Sequence, residues 1–131
     1  MARTNLPLTV IDPTTGANAP TPTAVDVANG MNIVMASSAI PSGTSMWDLV
    51  IVFVNSFAGA KSIIIRAGAS NPPAFRKDKG DLSISNAGTS AITYISGLEP
   101  ARYAQSDGSV NIDFTAATTG TVLALLRSHA V

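Results

Sequence analysis

Short apolar runs separated by turn residues recur along this chain, and none keeps a helical period over helical length. The clearest are Leu49-Val50-Ile51-Val52-Phe53-Val54 and Ser62-Ile63-Ile64-Ile65, bounded by Pro41-Ser42-Gly43, Ala58-Gly59-Ala60 and Ala67-Gly68. Their brevity and β-branching favour strands over buried helix. They read as a hairpin of central strands, covered on both faces or facing the core with one side and a neighbouring subunit with the other. Ile64 is placed in the core, so that Ile64→Asp is expected to be severely destabilising. Further on, Val110, Ile112 and Phe114 alternate with Asn111 and Asp113, the pattern of a strand half covered by core. Strand signals also fall at 82–85, 92–95, 101–104 and 121–126. Short strands with turns every 8 to 12 residues or so are the signature of an all-β sandwich or barrel.

The first thirty or so residues differ. Pro7, Pro13, Pro20 and Pro22 each remove a backbone donor and push the preceding residue toward extended geometry, which excludes a helix. Residues 1–22 therefore read as an extended N-terminal arm. Within it Leu6, Leu8 and Val10 alternate as one edge strand and stop at Asp12-Pro13-Thr14-Thr15-Gly16, which suits a turn. Residues 23–27 end at Asn29-Gly30, a hairpin signal leading into 32–35. With 131 residues the chain can bury one continuous core, so 23–131 is expected to be a single antiparallel β-sandwich domain.

Composition narrows the chemistry. Lys plus Arg equals Asp plus Glu at 8 each, so no global field gathers phosphate backbones or anionic lipid, and nucleic acid is not an expected partner. Charged residues are only 12% of the chain against a usual value of about 25%, leaving a weakly charged surface that tends to associate. The N-terminus lacks the apolar core of a secretory signal, which points to synthesis in a cytoplasm. The longest apolar run, 49–54, is far short of the roughly 20 residues of a membrane helix, so no membrane partner is expected. There is no Cys, one His (His129) and one Glu (Glu99), so a nucleophile–base–orienter set has no base outside the tail, and no zinc or EF-hand spacing exists. Asp107 with Asp113 could hold calcium, but a turn role for the first and an outward strand position for the second is the simpler reading. A glycosidase pair would have to come from Glu99 and scattered Asp residues. No enzyme, cofactor or metal site is expected.

Three features stand out against this inert background. Five of the sixteen charged residues lie in 76–81, where Arg76, Lys77 and Lys79 would form either a solvated loop or a contact loop. Trp47 precedes the central apolar run and reads as a core plug at a sandwich end, the alternative being a stacking platform for a sugar or peptide. Tyr94 and Tyr103 fall in separate strand patterns and could present hydroxyls at a surface or subunit boundary.

The Pro-containing arm, the 49–54 and 63–66 strands running into Arg66-Ala67-Gly68 and Asn71-Pro72-Pro73, Gly80-Asp81-Leu82, and Glu99-Pro100-Ala101-Arg102-Tyr103-Ala104-Gln105-Ser106-Asp107-Gly108-Ser109-Val110-Asn111-Ile112-Asp113-Phe114 followed by Gly120-Thr121-Val122 resemble small proteins encoded among the head genes of tailed bacteriophages, the capsid decoration or cement proteins. The likeness covers most of the chain and carries no catalytic motif. It implies a β-sandwich, often of jelly-roll type, that binds the major capsid protein on the outer surface of the virion in many copies, commonly as a homotrimer. On that expectation Arg3, Leu6, Leu8, Val10, Arg76, Lys77 and Lys79 contact the capsid or adjacent copies, while Trp47, Tyr94 and Tyr103 contribute to trimer packing. A head-closure or tail component, present in few copies, and a glycan-binding sandwich module are the alternatives.

Overall fold

The computed structural model describes residues 2–35, 46–68 and 77–127, with Lys77 described in its backbone alone. Arg76 and His129 lie outside the described residues, as do Pro41-Ser42-Gly43 and Asn71-Pro72-Pro73. Among the described residues ten strands form two five-stranded sheets: β1 (Thr4–Asn5), β2 (Leu8–Ile11), β3 (Thr23–Ala24), β4 (Met31–Ile33), β5 (Leu49–Asn55), β6 (Lys61–Ile65), β7 (Leu82–Asn86), β8 (Ala91–Ser96), β9 (Val110–Phe114) and β10 (Gly120–Arg127). One sheet runs β1-β4-β9-β6-β7. The other runs β2-β10-β5-β8, with β3 also against β10. The all-β sandwich expected from the strand spacing is the fold, with both sheets mixed rather than purely antiparallel, because β1 pairs parallel with β4 and β2 parallel with β10.

Strand alternation builds the core between the sheets. In β5, Leu49, Ile51 and Phe53 point inward and are fully buried, and Ile63 and Ile65 of β6, Val110, Ile112 and Phe114 of β9, and Val122, Ala124 and Leu126 of β10 do the same from their own strands. The Phe53 and Phe114 rings meet across the layers at 5.5 Å between centroids. Ile64 does not join them: it stands opposite Ser83 and Asp113 in the register and is only half-buried. A run of three isoleucines conceals the alternation, so the sequence alone does not tell which of them faces out.

Two expected hairpins are instead crossings between the sheets. β5 and β6 lie in different sheets, and the buried Asn55 makes the turn, its Oδ1 accepting from Phe57 N–H at 3.0 Å and its Nδ2 donating to Gly59 O at 3.2 Å. Asn86 does the same between β7 and β8, accepting from Gly88 N–H at 2.8 Å and donating to Ala91 O at 2.9 Å. The two crossings abut. Thr89 N–H donates to Phe57 O at 2.7 Å, and Gly88, at φ +89°, lies so close to the backbone of Gly59 that a Cβ has no room. The Asn29-Gly30 turn likewise carries the chain from β3 on one sheet to β4 on the other. Asp26 holds it, accepting from Asn29 N–H at 3.0 Å through its carboxylate and from Gly30 N–H at 3.0 Å through its carbonyl.

Two further expectations change. Residues 101–104 do not form a strand: Pro100–Tyr103 is a single helical turn, α1, where Pro100 at the first position supplies the fixed φ that helix starts accept. Residues 4–11 are not an arm apart from the domain, since β1 and β2 are paired into different sheets and Leu6 between them is buried at 1% exposure. Removing this stretch would open the core as well as any contact surface.

Candidate functional site

The same alternation that fills the core leaves a second apolar surface outside. An uninterrupted apolar run places Val50, Val52 and Val54 on the outward side of β5, and the register aligns their neighbours. Leu123, Val52 and Tyr94 form one row, Leu125, Val50 and Ser96 a second, Thr121, Val54 and Ile92 a third. Tyr94 is 69% exposed and Ile92 54%. These three rows carry no charged side chain, and Arg127 enters only at the end of β10, opposite Ile11. The outer face of the other sheet is polar: Asn32 stands against Asn111, Ser62 against Ser85 and Ile64 between Ser83 and Asp113. An antiparallel-type sheet that meets water normally shows polar residues outward. One face obeys that rule and the other breaks it.

Two recesses border the apolar face. Asp12 folds the chain back, its Oδ1 accepting from Thr14 N–H at 2.7 Å, the Thr14 hydroxyl at 2.6 Å and Thr15 N–H at 3.2 Å, and these bonds hold its carboxyl below the usual carboxylate range. Residues 17–20 then pass beside the face and, with Ile11, Val52, Tyr94 and Leu123, enclose a recess of about 370 Å³. At the other end of β5, Trp47, Asp48, Ser96 and Arg127 border a second of about 330 Å³.

The residues singled out in the sequence do not gather into one surface. Tyr94 lies in the apolar rows and Trp47 at their end. Trp47 is 55% exposed, so it is not a core plug: it sits in a short 3-10 turn, Met46–Asp48, whose inward position is taken by Met46. Tyr103 and Leu6 are buried at 4% and 1% and have no surface to offer a partner; burial pushes the Tyr103 phenol up. Leu8 and Val10 are half-buried and pack against the core. Arg3 lies on the polar sheet, donating to Asp113 at 2.6 Å and to Ile112 O at 3.1 Å. Lys79 is exposed on the turn Lys77–Lys79. Sequence reasoning left the outward side of 49–54 open as covered or facing a neighbouring subunit, and missed Ile92, Leu123 and Leu125 as the continuation of that surface. Their signal was present in strands apolar at both parities.

Five of the aspartates, Asp12, Asp26, Asp81, Asp107 and Asp113, are spent on structure. Asp26 accepts the Thr4 hydroxyl at 2.5 Å, which with the Asn29 bonds lowers its pKa. Asp107 accepts the Ser109 hydroxyl at 2.6 Å and its N–H at 3.0 Å, again lowering the pKa. Asp113 and Asp81 share Arg66, at 3.4 and 2.8 Å. Asp107 thus serves a turn, and Asp113 stands on the outward side of β9 opposite Ile64, where it meets Arg3 and Arg66. Among the described residues no three His, Cys, Asp or Glu side chains come together in a way that could hold a metal ion, and no helix is long and apolar enough to cross a membrane. No family model, no curated protein and no solved structure matches this chain.

Proposed function

We propose that this protein is a non-catalytic association protein that binds the exterior of an assembled phage capsid in many copies and stabilises it, as a decoration protein on the outer surface of the virion. The observation that supports the reading is the apolar outer face of the β2-β10-β5-β8 sheet, uncharged in its three central rows, opposite a polar face built by the same alternation. A fold gains nothing from Val, Leu, Ile and Tyr held against water, whereas a partner surface does. The phage assignment, the major capsid protein as partner and the trimer come from the resemblance of the chain to decoration proteins. Many weak copies on one rigid lattice add through effective concentration, so a small face on each suffices.

The test is the mass of the native particle with which the protein co-purifies and its copy number there. Hundreds of copies on a DNA-filled or empty head fit decoration. A few copies fit head closure or the tail, and a free protein without a particle refutes both. A glycan-binding reading draws on the exposure of Trp47 beside Asp48 and Arg127. It requires saturable changes in Trp47 fluorescence with oligosaccharides, and the association reading expects none.

A further inference from the structure

We infer that the recess between the strap 17–20 and the apolar sheet is a groove for an extended, uncharged peptide segment of the partner chain, an inference that rests on the association reading above. Three observations identify the occupant. First, the lining from Thr9 and Ile11 through Leu123, Leu125 and Val52 to Tyr94 contains no charged side chain, so a charged segment would lose its hydration without compensation. Secondly, the lining crosses from β2 to β8, three strand spacings or about 14 Å, which is the length of about four extended residues. A folded copy seated on so narrow a strip falls well short of the ~800 Å² per partner that stable complexes bury. Thirdly, the strap is exposed, and among the described residues Ala17, Asn18 and Ala19 find no hydrogen-bond partner. Open backbone N–H and C=O groups along one wall and an apolar floor are what main-chain pairing with side-chain pockets requires.

The strap is also preset for this. Pro20 and Pro22 hold the chain extended and the Asp12 turn fixes where it begins, so little freedom remains to be lost on binding. The Tyr94 ring, 69% exposed at the far end, supplies an aromatic wall whose hydroxyl can remain wet.

Hydrogen exchange of the full-length protein, free and on purified heads, tests the groove. The amides of Ala17, Asn18 and Ala19 should exchange at nearly open-chain rates in the free protein and slow by tenfold or more on heads. Ala19→Pro, which removes one of those donors, should lower occupancy at least fivefold, whereas Ala19→Ser leaves it unchanged and both variants keep the wild-type melting temperature. Full occupancy with unprotected strap amides would overturn the groove while leaving the association reading standing. Absence of any occupancy would remove both.

Discussion

Ile63 and Ile64 are chemically identical neighbours that the fold treats oppositely, and replacing each by Ala separates the structure from a sandwich shifted by one residue. Ile63 has no exposed surface and faces Phe114 on β9 and Ile84 on β7. Truncating a fully buried Ile loses transfer energy and leaves a cavity, about 2 to 5 kcal/mol. The site lies between two paired strands with little freedom to collapse, so about 3 to 4 kcal/mol is expected, or a fall of roughly 10 to 15 °C in Tm for a domain this size. Ile64 stands on the outward side between Ser83 and Asp113, where the same truncation costs about 1 kcal/mol or less. Urea unfolding followed by circular dichroism gives both values, with equal m-values showing that the denatured state is unaffected. If Ile64→Ala costs as much as Ile63→Ala, the register of β6 is wrong, because a slip of one residue exchanges the two faces.

Other expectations follow from individual contacts. Asp26 has a depressed pKa in the folded protein, so its contribution is present above the ordinary value of 3.8 and disappears as pH falls below it. Acid unfolding of Asp26→Asn should accordingly show a shallower loss of stability below about pH 4 than wild type, and identical acid limbs would count against the Thr4 and Asn29 bonds. Gly88→Ala should cost more than about 2 kcal/mol, since φ is +89° and a Cβ meets the Gly59 backbone; a wild-type melting curve would contradict the abutting crossings. Arg3→Ala removes a partly buried ion pair and the bond to Ile112 O and should cost about 1 kcal/mol, of which only a part is screened away in 1 M salt. Trp47, the single Trp, should emit at a solvent-exposed wavelength and be readily quenched by acrylamide.

The strand content and the sandwich were legible because alternation and turn residues are local signals: Val110 to Phe114 reads the same in sequence and structure. What was not legible depends on partners distant in sequence. Asn29-Gly30 and Ala58-Gly59-Ala60 look like hairpin turns, yet whether a turn returns the chain to the same sheet or carries it to the opposite one is decided by buried side chains such as Asn55 and Asn86, which only the packed loops satisfy. Prolines around residues 7–22 suggested a detached arm, while parallel pairing of β2 with β10 has no local signature at all. The candidate surface suffered from the same ambiguity in another form: an unbroken apolar strand can be covered on both faces within the domain or wait for a partner on one of them. Trp47 is an amphipathic residue, and only the 3-10 turn that points Met46 inward decides its exposure.

The central claim is that the apolar outer face of the β2-β10-β5-β8 sheet is where the protein meets its assembly. Ile92 and Tyr94 are exposed enough to accept charge without unfolding, and Ser83 and Ser85 occupy the outer face of the other sheet. Occupancy on purified heads, measured for Ile92→Glu/Tyr94→Glu against Ser83→Glu/Ser85→Glu at matched melting temperature, is the most direct measurement. The first pair should abolish binding and the second leave it intact; full occupancy by the Ile92→Glu/Tyr94→Glu protein would show that this face is not the contact.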